Sequence, residues 1–88
     1  MSIKMSIKVG SRVRLKTMNE WIKEGKGFWV SPNGALNIDE YSGLPKDKIK
    51  YLGLEGEVVF INCSNRLHIL MKDRAKVNDI PRDFVVLV

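Results

Sequence analysis

Cys63 and His68 stand five positions apart, and a thiol beside an imidazole is the minimal nucleophile and base. Such a pair needs a third group to orient the base, so two residues alone are a weak signal for a nucleophile. A small turn residue and a strand histidine account for both side chains. Glu55 and Glu57 flank Gly56 and offer two carboxylates, yet they read as solvated residues of a turn. Gly25-Lys26-Gly27 lacks the length and the Ser or Thr of a phosphate-cradling loop. One histidine and one cysteine cannot furnish the four ligands of a structural zinc. The chain therefore reads as a non-enzyme that holds no metal and no cofactor.

Two other sets of residues can do chemistry by binding. The first is basic. Fifteen Lys and Arg against ten Asp and Glu leave a net charge of +5. Residues 1–16 hold Lys4, Lys8, Arg12, Arg14 and Lys16 and no acid, so they account for the whole excess. Arg12, Arg14 and Lys16 alternate with Val13 and Leu15, which places the three cations on one face of a strand. Such a stripe draws phosphate backbones, and on an edge strand it also discourages aggregation. Lys26 joins it as a candidate phosphate contact.

The second set is aromatic. Trp21, Phe28, Trp29 and Tyr41 fall within residues 17–52, and Tyr51 closes that span, leaving only Phe60 and Phe84 elsewhere. Trp21 and Phe28 are expected to form the segment's own small core, since a long segment must bury something to stay ordered. Trp29 faces opposite Phe28 and Val30, so one side of that strand should be wetter, and Trp29 and Tyr41 either join the small core or stand open to a partner. Trp29, Tyr41 and Tyr51 form a candidate partner-binding set.

The elements that position these residues follow from local pattern. Ser11–Lys16 alternates as a half-buried strand. Thr17 or Asn19 caps a short helical turn carrying Met18, Trp21 and Ile22, which Gly25 ends. Ser31-Pro32-Asn33-Gly34 suits a type I turn joining Phe28–Val30 to Ala35–Ile38. Asp39–Gly43 reads as a loop, and Pro45 opens a short helix over Lys46–Leu52 that Gly53 ends. Glu57–Ile61 and Arg66–Met71 form a hairpin around Asn62–Asn65. Lys72–Asp79 reads as a polar connection, and Ile80-Pro81-Arg82-Asp83 as one 3₁₀-like turn before a last strand, Phe84–Val88. Met1–Lys4 and Met5–Lys8 are an exact tandem repeat, so 1–8 is either a loose end or an added edge strand.

Eighty-eight residues with 44% hydrophobic content make one domain, 1–88, with a modest core. No apolar run reaches the roughly 18 residues of a membrane span, and the first ten residues have no continuous apolar stretch of a secretory signal. A soluble, reduced, cytoplasmic protein is the expectation.

Gly10-Ser-Arg-Val-Arg-Leu15 resembles the opening strand of KOW-type and related SH3-like domains. Gly53-Leu-Glu-Gly56-Glu-Val58-Val-Phe-Ile61 resembles their turn and second strand, and Ile80–Leu87 the closing turn and strand. The Gly-x-x-Val-Arg motif, Leu44-Pro45 and Gly53-x-x-Gly56-x-Val58 also resemble the barrel of the nitrile hydratase β-subunit. The resemblance covers about half the chain and implies a mainly β fold: a small SH3-like barrel. Residues 17–52, with short helices and a small hairpin, then form a long insertion between the first and second strands. No catalytic residue carries over. For KOW-type domains the resemblance implies contact with nucleic acid or with a protein of the transcription or translation machinery. The first expectation is thus a nucleic-acid contact through Arg12, Arg14, Lys16 and Lys26, with an insertion aromatic stacking on a base. The alternative is a protein-interaction module, or a small subunit or accessory protein, using Trp29, Tyr41 and Tyr51. Neither membrane nor small-molecule substrate is expected.

Overall fold

The computed structural model describes residues 7–39 and 41–88, with only the backbone of Tyr41 and Ser42. The expectation of an edge strand at Met1–Lys8 falls almost wholly outside them. Among the described residues, eight strands form two antiparallel sheets. β1 (Arg12–Leu15), β5 (Glu55–Ile61), β6 (Leu67–Met71), β7 (Lys76–Ile80) and β8 (Val85–Leu87) make one sheet in the order β7-β6-β5-β1-β8. β2 (Phe28–Val30), β3 (Leu36–Ile38) and β4 (Tyr41–Leu44) make the other, in chain order. One helix, α1 (Met18–Lys23), and two 3₁₀ turns, Lys46–Tyr51 and Arg82–Phe84, complete the fold. The large sheet ends at β7 and β8 without pairing them, so the barrel is not closed. No helix of the described residues is long and apolar enough to cross a membrane.

Both sheets supply one core. Val13 and Leu15 of β1, Leu36 and Ile38 of β3, and Leu44 of β4 are buried with Val58, Leu67, Ile69, Val77, Ile80 and Phe84. Thr17 caps α1 as part of a capping box: its hydroxyl accepts from the Glu20 amide while the Glu20 carboxylate accepts from the Thr17 amide. α1 then turns Trp21 into the core, its ring 5.0 Å from that of Phe84.

Several elements differ from the sequence pattern, each for a local reason. Asp39–Gly43 is not all loop, because Leu44 reaches the core at the end of β4. Lys72–Asp79 is not simply a connection, because it contains most of β7. Ile69 faces Val77 while Leu67 faces Ile80, so β7 carries one residue more than β6 across that interval. Asp79 takes up the excess at φ 61°, and this bulge puts Val77 and Ile80 on the same buried side. Alternation alone separates residues three apart onto opposite faces, which hides the strand. The helix at 46–52 is a 3₁₀ helix over Lys46–Tyr51. The turn placed around Gly56 is strand instead. A Cβ at Gly56 would come within 2.6 Å of Ile69 Cγ2 and 2.8 Å of the Leu70 carbonyl oxygen, so close strand approach requires the glycine. The turn lies at Gly53, with φ +85°.

Candidate functional site

β1 runs between β5 and β8 in the interior of the sheet, not along an edge. That corrects the protective reading of its basic stripe, and the partners of its side chains change the phosphate reading. Arg14 grips Glu20 with both nitrogens, Nη1 to Oε1 at 2.6 Å and Nη2 to Oε2 at 3.0 Å. Lys16 Nζ lies 2.7 Å from Glu24 Oε2, and Arg12 Nη2 lies 3.8 Å from Glu55 Oε1. All three cations thus answer acids from α1, its C-cap Glu24 and β5. Lys26 reaches over the Phe84 ring, 5.7 Å from its centroid.

The Arg14 bond, then the Thr17 amide, hold the Glu20 carboxyl down at about 2, from a usual 4.5. A carboxyl depressed on folding stabilises the fold above its unfolded value, and that contribution is lost as pH falls. The loss falls between about 4.5 and about 2. Glu20→Gln is expected to lower the melting temperature at neutral pH. Its gap from the wild type should close on acidification through that window, as read by circular dichroism. A gap that stays constant to pH 2 would separate Glu20 from the effect.

Tyr51 does not present a face to a partner. It is 6% exposed, and its hydroxyl donates to Asp73 Oδ2 at 2.5 Å. That bond raises the tyrosine pKa and lowers that of Asp73. The side chain of Tyr41 lies outside the described residues; its backbone opens β4 at the far edge of the small sheet from β2.

Trp29 stands open to solvent. It is 62% exposed at the centre of β2. Its neighbours depart from expectation: Phe28 is 48% and Val30 58% exposed, so Phe28 is not part of the insertion's core. β2 pairs on one side with β3 and on its other side with no strand of the described residues. The ladder's alternation sets which backbone groups are free. Ser31 donates to Ala35 and Asp39 to Gly27, so the intervening bonded pair is Trp29 with Asn37. The amides and carbonyls of Phe28 and Val30 therefore face the open edge. The predicted turn carries this geometry, with Gly34 donating to Ser31 at 2.8 Å. Beneath it Asn37 is buried; its amide donates to Ser31 Oγ at 2.8 Å and its oxygen accepts from the Gly43 amide at 3.0 Å. Asn37 thereby ties β3 to both neighbours, a role its place between two core residues did not disclose. Residues 27–38 carry no charge, in a chain that is 28% charged.

Cys63 is exposed in the β5–β6 turn, and His68 contacts two asparagines, Asn62 and Asn78. No cluster of metal-ligating residues exists among the described residues. No protein-family model, curated protein or solved structure matches the chain.

Proposed function

We propose that this chain is a small SH3-like protein-interaction domain that takes an extended segment of a partner along the free edge of β2. One observation carries the reading: three successive large apolar side chains stand exposed on a strand whose outer edge pairs with no strand of the described residues. An apolar edge of that kind is a template for strand pairing, and exposed apolar patches mark interaction surfaces. The Phe28 and Val30 backbone groups would supply main-chain hydrogen bonds, and alternate side chains the selectivity. Trp29 is the anchor on one face of the strand, Phe28 and Val30 on the other. The absence of charge from 27–38 favours an apolar or uncharged segment over an acidic or basic one. Strand order β7-β6-β5-β1-β8, with a 3₁₀ turn before the last strand, supports the SH3-like and KOW-like resemblance. In that reading residues 17–52 are the insertion that carries the site, and a protein of the gene-expression machinery remains the proposed partner class. Nucleic-acid contact through Arg12, Arg14 and Lys16 loses support, because each is already paired with a carboxylate.

Panning a random dodecapeptide library against the intact chain tests this. Enriched peptides should be uncharged and rich in β-branched and aromatic residues. Val30→Pro removes one outward amide without touching the bonded pair to Asn37, and edge strands tolerate proline. It should abolish capture of those peptides. Retention of full binding by this variant would rule out strand addition at β2.

A further inference from the structure

Much of the positive charge outside ion pairs lies far from β1 in sequence. Residues 46–51 and 72–76 hold Lys46, Lys48, Lys50, Lys72, Arg74 and Lys76 against Asp47 and Asp73. Six bases less two acids give +4, against +5 for the whole chain. None of the six bases lies in an ion pair among the described residues. The Tyr51–Asp73 bond ties the two segments together.

Lys76 links this basic region to the outer face of the β5–β6–β7 ladder. It lines a depression with Lys48, Pro45 and Asn78, and a second with Phe60, His68 and Leu70. Phe60 owes its outward position to a bulge: Val58 faces Ile69 while Phe60 faces His68, two residues against one. It is 55% exposed, and its ring meets His68 edge-on, 5.2 Å between centroids at 83°. His68 Nδ1 lies 3.1 Å from Asn78 Oδ1, and its Nε2 lies 3.4 Å from Asn62 Nδ2. A ring protonated at Nδ1 satisfies both contacts, leaving the Asn78 NH₂ without a partner among the described residues. Asp79 borders Lys48 and Lys76, but Arg66 and Asn62 already engage it at 3.3 and 3.1 Å.

A held aromatic ring, an amide with donors to spare and adjoining lysines form one path over an open sheet face. Single-stranded nucleic acid needs each of them: a ring to stack a base, a polar group for its edge, and cations for the backbone. A duplex finds nothing here to enter its groove, because α1 is six residues long and lies elsewhere. An acidic peptide would use the lysines and leave Phe60 idle. Glu57 stands across Leu70 from Lys76, about 10 Å away at two strand spacings. It repels phosphate from the β1 side and so directs the strand from Phe60 past Lys76 toward Lys48.

We infer that this face binds single-stranded nucleic acid, with Phe60 stacking on a base and Lys76 and Lys48 contacting phosphates. Fluorescence anisotropy of labelled oligouridylate and oligothymidylate with the full chain tests it, across a salt series. One of the two should bind at low salt, and more tightly than a labelled duplex of equal length. Phe60→Leu keeps an apolar group and removes the stacking surface, so affinity should fall about tenfold. The double variant Lys48→Gln, Lys76→Gln should reduce the slope of log affinity against log salt by about 1.4, at about 0.7 per single-strand phosphate contact. Lys23→Gln, at an exposed position of α1, should change neither. Both test variants alter solvated side chains, and thermal melts verify their fold. Binding to neither oligonucleotide, equal binding of duplex, or wild-type affinity with Phe60→Leu would overturn the inference.

Discussion

Replacing Trp29 with alanine should weaken capture of an extended partner segment by about 30-fold or more and leave the fold intact. Aromatic anchors at the centre of an interface typically cost at least about 2 kcal/mol on truncation, and each 1.4 kcal/mol is a factor of ten. Trp29 has that central place: it is the middle residue of β2 and stands most clear of the protein surface in that strand. Its backbone groups bond to Asn37 whatever the side chain, so the hairpin survives the change. Exposed substitutions shift stability by about 0.5 kcal/mol or less, which for a domain of this size moves the melting temperature by no more than about 4 °C. Isothermal titration with a library-selected peptide and a thermal melt read the two quantities. Wild-type affinity in the variant would remove Trp29 from the interface. A collapsed melt would show instead that the indole holds the hairpin together.

The other tryptophan should behave in the opposite way. Trp21→Ala is expected to cost about 3–5 kcal/mol, out of the total of about 5–15 kcal/mol that holds a small domain folded. Trp21 is buried where α1 closes over the large sheet, beside Phe84 and bordering the same small gap as Leu15, Leu44, Val77 and Ile80. Its removal deprives both sheets of their common filling. Trp21→Phe separates packing from polarity. The indole Nε1 is buried without a hydrogen-bond partner among the described residues, and an orphaned donor costs about 1–3 kcal/mol. Phenylalanine discards that penalty along with part of the ring, so its urea midpoint should lie much nearer the wild type than alanine's. An alanine variant with a wild-type midpoint would mean that α1 is not anchored through Trp21.

Much of the architecture was legible because the local signals were independent of partners. The alternation of Arg12–Leu15, the Ser31–Gly34 turn, the Asn62–Asn65 hairpin and the Pro81 turn all occur in the structure. β4 and β7 were hidden because each joins the core through a bulged register, and a bulge erases the period of two. The ion pairs of the basic stripe were hidden for an electrostatic reason. Along the chain, residues 1–16 carry all the excess charge. In space, Arg12, Arg14 and Lys16 meet Glu55, Glu20 and Glu24, while the six bases of 46–51 and 72–76 lie in no ion pair among the described residues. Thr17-x-x-Glu20 was the available signal, since a capping box fixes that glutamate within reach of β1. Tyr51 was misassigned because a tyrosine at the close of a charged helix does not disclose that its ring turns inward to bond Asp73. Phe28 and Val30 escaped notice because alternation assigns them an inner face, whereas β2 lies at the sheet's margin, where both its faces are exposed.

Amide hydrogen exchange, with and without a library-selected peptide, tests strand capture at β2 most directly. The amides of Phe28 and Val30 should exchange rapidly in the free protein and slowly in the complex, while Trp29, already bonded to Asn37, changes little. Protection confined to other segments, with Phe28 and Val30 unchanged at saturating peptide, would contradict it.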